Sequence, residues 1–206
     1  MEGKNMMKIP KIVIVWLFIT WPLMCAYIMA TISGAICTSY HGFAIDNDKN
    51  LYLGKDSVIQ VIGENGDIVR EFSPQTSRGY EFTIVEDNTI QIYTGSYLYT
   101  TDLSGNVVDK KEVVSYKDYG HLMNSRYKYA ASDGTKYVMK NPCMRTVVYR
   151  LEGTQKTAIY KMPILDYIAK LFFYAYFISG FIVIPIGVFK FRAAARTNQG
   201  QNNVMM

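Results

Sequence analysis

The chain repeats itself. Moved along by 39 residues, the stretch from Gly42 to Phe72 falls on a second copy without a gap. Phe43 lands on Phe82, Ile45 on Ile84, Asp48 on Asp87, Leu53 on Ile92, Ile59 on Leu98, Gly66 on Gly105, and Ile68-Val69 on Val107-Val108. A third, looser copy runs from Tyr127 to about Met162. It has Ser132-Asp133-Gly134 at its first turn, Tyr137-Val138 in its second strand, Val147-Val148-Tyr149 in its third and Glu152-Gly153 at its last turn. Within the first copy four short runs, Phe43–Ile45, Leu51–Leu53, Val58–Ile62 and Ile68–Phe72, are separated by turn residues. Alternating apolar runs bounded by Asx and Gly clusters read as strands, and Asn65-Gly66 predicts a tight hairpin with φ > 0 at both residues. Four strands per repeat of roughly 40 residues predict a propeller blade. Blades covered on both sides also account for Val58–Ile62, whose apolar residues point both ways.

Two charge-free stretches bracket the repeats. Ile12–Ser33 and Leu171–Phe189 are each long and apolar enough to cross a bilayer as a helix. For the first, a signal peptide is the competing reading, with Lys4, Lys8 and Lys11 before it and Ser33-Gly34-Ala35 as a small-residue cleavage site. Its apolar run is longer than such a segment needs, which favours an uncleaved anchor. Lys4, Lys8 and Lys11 before the first helix, and Lys190, Arg192 and Arg196 after the second, predict both tails in the cytoplasm of a multi-pass protein of the plasma membrane. The middle of the chain then lies outside. That middle is formally neutral, so the net charge of +5 reports topology and gives no footprint for nucleic acid. Half the residues are apolar and only 19% are charged, and these two stretches cause the deficit.

The string GFAIDNDKNLYLGKDSVIQVIGENGDIVREF resembles the NHL repeat. Gly42, Ala44, Ile45, Asp46, Asn50, Tyr52, Ile59-Gln60-Val61, Gly66 and Phe72 stand at that repeat's positions, while Lys49 replaces its usual glycine. The resemblance covers the first copy well, the second partly and the third poorly. It implies propeller blades of a kind that, mostly in sixes, form binding platforms for proteins or RNA, or recur within enzymes. Three blades do not close such a ring, so a two-fold homodimer completing six blades is one expectation, and an open or sandwiched stack covered by the linker or by a partner is the other.

Few residues carry a chemical signature. Asp46-Asn47-Asp48-Lys49-Asn50 opens like a calcium loop, but Leu51 and Ser57 stand where that loop needs Gly and Glu, so Asx turn chemistry is the better reading and no metal is assigned. Cys37 and Cys143 both fall in the outer segment and form a possible disulfide, a staple of on the order of 4–5 kcal/mol in the chain-entropy account. Cys25 lies within the first helix. His41 and His121 are the only histidines, and no G-x-S-x-G elbow accompanies them.

Tyrosine is dense between Tyr40 and Tyr160. At Tyr52, Tyr93, Tyr137 and Tyr149 strand propensity explains it. Tyr97, Tyr99, Tyr116, Tyr119 and Tyr127, with His121 and Arg126 in the joint 113–126, make the candidate binding surface, suited to a protein partner or to sugar. Asp166 and Lys170 read as a helix-start pair, and Ala175 with Ser179 as a small-residue face for helix contact.

The sequence thus predicts an all-β extracytoplasmic domain of three propeller-like four-stranded blades between two transmembrane α-helices. Its segments are a tail 1–11, a helix 12–34, the β domain 35–162, a helix 163–190 and a tail 191–206. The expected role is a non-enzymatic binding or sensing module without cofactor, partnered by the lipid bilayer and by a second copy or another membrane protein. The alternative is an extracytoplasmic enzyme with a loop site around Asp118 and His121.

Overall fold

A computed structural model describes residues 11–76, 79–85, 88–115, 117, 119–120, 127–131 and 133–204, those at 191 and 193–204 by backbone alone. Helix α1 (Lys11–Ile32) is followed by twelve strands. The first four are β1 (Tyr40–Ile45), β2 (Leu51–Lys55), β3 (Ile59–Ile62) and β4 (Ile68–Phe72). Next come β5 (Glu81–Ile84), β6 (Ile90–Tyr93), β7 (Tyr97–Thr101) and β8 (Val107–Glu112). The last four are β9 (Lys128–Ala130), β10 (Lys136–Lys140), β11 (Val147–Glu152) and β12 (Gln155–Lys161), with a short 3-10 turn at Pro142–Met144. Helix α2 (Ile164–Val204) ends the described chain, running on through the polar stretch after Thr197 whose composition argues against order.

The strands form three separate four-stranded antiparallel sheets, β1 to β4, β5 to β8 and β9 to β12, each in sequence order. These are propeller-like blades, and the repeat seen in the sequence is one of geometry. In the first hairpin of each blade the same two bonds recur: Asp46 N to Asn50 O with Lys49 N to Asp46 O, then Val85 N to Thr89 O with Asn88 N to Val85 O, then Ala131 N to Thr135 O with Gly134 N to Ala131 O. The residue that must turn left-handed is Lys49 (φ 62°), Asn88 (φ 58°) and Gly134 (φ 82°) in turn. Asn and Gly tolerate this conformation, and Lys49 bears its cost.

The Asn65-Gly66 hairpin differs from the expected form. Only Gly66 is left-handed, at φ 87°. The turn is closed by Gly66 N to Gly63 O and Gly63 N to Asp67 O, each 2.9 Å. The strands shift register between Val61 and Ile62. This is a turn followed by a left-handed glycine and a bulge, because four residues at the tip give more room than a two-residue turn. The second blade repeats it, with Gly105 at φ 89° and a register shift between Thr100 and Thr101.

Packing among the sheets does not follow chain order. The first sheet lies between the other two. One of its faces, with Phe43, Ile45, Leu51, Leu53 and Ile62, meets Tyr137, Met139 and Val148 of the third sheet. The other, with Ala44, Tyr52, Ile59 and Val61, meets Phe82, Ile90 and Ile92 of the second, and Tyr80 beside them. The terminal blades are therefore the second and third, not the first and third as simple stacking would have it. Strict alternation along β1 and β2 makes this possible, since successive side chains go to opposite cores. The outermost strands stay exposed, and charges such as Arg70, Glu71, Asp109, Lys110, Lys111 and Lys156 guard those edges against further pairing.

At the base of the module the chain's entry and exit are tied together. Cys37 N donates to Asp166 Oδ1 at 3.1 Å, in the first turn of α2. Arg145 donates from Nε and Nη2 to Met162 O at 3.0 and 2.9 Å. Tyr40 and Tyr160 hydroxyls lie 3.0 Å apart, and burial pushes the Tyr160 phenol up to about 12.

The helices form their own unit. Trp16 Nε1 donates to Ser179 Oγ at 3.0 Å, and its ring stacks on Tyr176 with centroids 5.3 Å apart. Tyr27 stacks on Phe173, also at 5.3 Å. A β-carbon on Gly180 would stand 3.5 Å from Trp16, so Ser179 and Gly180 form the close-approach face.

Gly105 packs with its α-carbon against the Phe72 ring, and an added β-carbon would come within 2.4 Å of it. Gly66 has the same left-handed φ but open space around it. We expect Gly66→Ala to cost about 1–2 kcal/mol and Gly105→Ala about 2–5 kcal/mol, because overpacking adds to the conformational penalty. Thermal or denaturant unfolding of the two variants, compared side by side, checks the difference.

Candidate functional site

The three innermost strands converge on a hollow of about 630 Å³ bordered by Asp46, Asn47, Thr83, Asn88, Lys128 and Tyr129. Its floor is fixed by local chemistry. Asp46 is buried, and its two oxygens accept from Asn50, Oδ1 from the backbone N–H at 2.8 Å and Oδ2 from Nδ2 at 2.9 Å. The calcium-like opening of the sequence is thus an Asx turn, with the carboxylate directed at its own loop. Asn47 Nδ2 reaches across to Asn88 Oδ1 at 3.1 Å and joins the first and second blades at the rim. Burial, reinforced by the Asp46 charge, raises the Tyr129 phenol above its ordinary range. The hollow offers amides, one ammonium and a phenol, a set suited to holding a small polar molecule.

Among the described residues, the tyrosines picked out from sequence do not gather into one site. Tyr97 and Tyr99 stand on β7, edge to face with centroids 6.2 Å apart. Lys110, from the neighbouring β8, places its ammonium 4.0 Å from the Tyr97 ring centre and 5.4 Å from that of Tyr99. Tyr119 stacks on Tyr93 at 3.9 Å with the rings within 9° of parallel. Tyr93 pairs with Leu98, so alternation puts that stack on the opposite face of the sheet from Tyr99. Tyr127 belongs to the third blade. There, with Lys140, Asn141, Pro142, Tyr149 and Lys156, it borders a groove of about 520 Å³. Tyr116, Asp118, His121 and Arg126 lie outside the described residues.

Sequence reading missed the lysines. Lys156 sits 3.5 Å above the ring centre of Tyr149, a residue that strand propensity had seemed to explain fully. Cross-strand register is what brings a fourth-strand lysine over a third-strand tyrosine, and no local spacing reveals it. His41 lies on β1, half-buried, with its ring 4.8 Å from that of Tyr80. Tyr80 places its hydroxyl 2.7 Å from both Lys55 O and Val58 O, which gives the pair a packing role at the turn between β2 and β3.

Cys37 and Cys143, a possible disulfide by their shared segment, are both free thiols in this structure. Cys37 is buried beneath the first and third sheets, with its thiol donating to Ser39 O at 3.2 Å, whereas Cys143 is exposed on the 3-10 turn.

No family model matches the chain, and no curated protein matches it. Among solved structures it is similar to a catalytically inactive virginiamycin B lyase from Staphylococcus aureus with quinupristin, at 14% identity over 63% of this chain and 43% of that one, TM-score 0.33. A streptogramin B lyase gives 13% identity, coverage of 63% and 42%, and TM-score 0.33. A protein of unknown function from Bacteroides caccae gives 9%, 62% of each chain and TM-score 0.32. The chain spans less than two thirds of the length of each of these proteins.

Burial raises the Cys37 thiol to about 12, so it stays protonated near pH 8. We expect Cys143 to react with a maleimide at that pH in the folded protein while Cys37 is modified only after denaturation. Mass spectrometry of labelled peptides distinguishes the two, and equal rates would contradict the burial of Cys37.

Proposed function

We propose that the chain is a two-pass membrane protein that holds its three-bladed module outside the membrane as a binding platform. The observation that carries the membrane part is the pair of long apolar helices, Lys11–Ile32 and Ile164–Lys190. Their side chains are largely uncovered, Phe18 and Phe181 each at 79% exposure, and such surfaces are tolerated when lipid covers them. Basic residues before α1 and after the apolar part of α2 support cytoplasmic tails.

A binding role is favoured over catalysis because the aromatic groups are spread over separate surfaces of two blades, each paired with a cation or another ring. Hydrolysis by a triad would need a nucleophile, a base and an orienting acid in contact. Spread-out aromatic and cationic positions suit recognition of an extended partner. The likeness of the first blade to NHL repeats points the same way, since those repeats serve mostly as platforms. A second copy of the chain is the companion that would cover the exposed Ile68, Val69, Val107 and Val108.

Cys143 provides the test of placement. In a variant carrying Cys25→Ala and Cys37→Ala, a membrane-impermeant maleimide added to intact cells should label Cys143. Labelling that appears only after lysis would place the module inside and end this reading. For the companion, mass measurement of the detergent-purified chain should give a dimer, and a monomer alone would remove the second copy from it.

A further inference from the structure

We propose that the module binds a linear anionic glycan through lysine ammonium groups held on tyrosine rings at the outer strands of its second and third blades. The inference rests on the binding role argued above and names the ligand class. In the second blade Lys110 of β8 lies over Tyr97 and Tyr99 of β7. In the third, Lys156 of β12 lies over Tyr149 of β11. The same device therefore occurs twice, each time from the fourth strand of a blade onto the third. A lysine parked on a ring has lost much of its rotamer freedom before any ligand arrives, so less is lost on binding.

These cations also lack a carboxylate partner among the described residues. Lys49 and Arg150 are matched by carboxylates, Glu64 at 3.7 Å and Glu152 at 3.0 Å. Among the described residues Lys110, Lys140 and Lys156 have no such match. Lys140 and Lys156 border one groove together with Asn141 and the rings of Tyr127 and Tyr149. The groove thus combines two positive charges, an amide, phenol hydroxyls and aromatic edges. A sugar ring bearing a carboxylate or sulfate presents the complement: C–H faces for the aromatic surface, hydroxyls for the amide and phenols, and an anion for the ammonium groups.

A peptide finds less here. β10 and β11, which supply Lys140 and Tyr149, each have a strand on both sides, so their backbone has no row of open donors. Pro142 lacks an N–H altogether, and the open edge at β12 is the one that Lys156 guards against pairing. Two like devices on one module favour a polymer with repeated charge over a single sugar, since the second contact forms at high effective concentration.

Binding of polygalacturonate, dextran sulfate, neutral dextran and poly-glutamate to the full chain in nanodiscs, measured by calorimetry or interferometry at low salt, tests the proposal. At least one of the two acidic glycans should bind, more tightly than monomeric galacturonate, and neutral dextran should not. Lys140→Ala with Lys156→Ala removes both charges of the groove and should weaken that binding at least about tenfold, and Lys110→Ala should weaken it further. Tyr149→Phe keeps the ring under Lys156 and should cost less than Tyr149→Leu, which should lose several-fold. Lys→Gln versions, with melting curves matched to the parent, separate lost charge from lost fold. Neither acidic glycan binding, lysine variants without effect, neutral dextran binding equally, or poly-glutamate binding as tightly as the glycans would each overturn it. The measurement uses purified protein, so its outcome is independent of the labelling of Cys143 in cells, and either reading can fail alone.

Discussion

Burial of the first sheet on both faces is the constraint from which the module is built. A lone four-stranded meander leaves both of its faces in solvent, so apolar side chains on either face need a neighbour to cover them. Here β1, β2 and β3 send alternate side chains to two cores, one shared with the second sheet and one with the third. Phe43 and Ala44, adjacent in sequence, are both fully buried and belong to different cores. The first blade therefore carries the strictest apolar pattern, and the outer blades can be more polar. This gradient explains why the first copy of the repeat is the clearest: the second and third each pack against it with one face only.

Tyrosine serves two ends in this architecture. Tyr52, Tyr80 and Tyr40 are buried, and burial pushes their phenols well above the ordinary range, so they act as neutral hydrogen-bonding wedges. Tyr97, Tyr99 and Tyr149 lie towards the outer strands, where their rings carry lysines. Position within the blade decides the role, since residues turned into the shared cores see mostly protein and the outermost strand sees mostly water. Density of tyrosine along the chain therefore conflates core and surface.

Much of the module was legible because strand, turn and repeat are local. All four strands of the first copy, the 39-residue offset and the first turn of the third copy, at Asp133-Gly134, stand where the pattern puts them. Three things were not legible, and each depends on distance in the chain. The third sheet packs on the first rather than on the second, a choice no strand records by itself. Cys37 and Cys143 share a segment but not an environment. Lys156 reaches Tyr149 only because of the register of β11 with β12. The helix contact suggested by Ala175 and Ser179 is made at Ser179, where Gly180 beside it adds the gap that the Trp16 ring needs.

The bond from Cys37 N to Asp166 Oδ1 joins two residues that stand at opposite ends of the module's sequence. The β domain is thus an insert with its two doors side by side, a geometry that permits a whole domain to be gained, lost or grafted without disturbing what flanks it. By this logic the segment from 34 to 167 is a portable cassette, and a loop of another protein with closely spaced ends could host it.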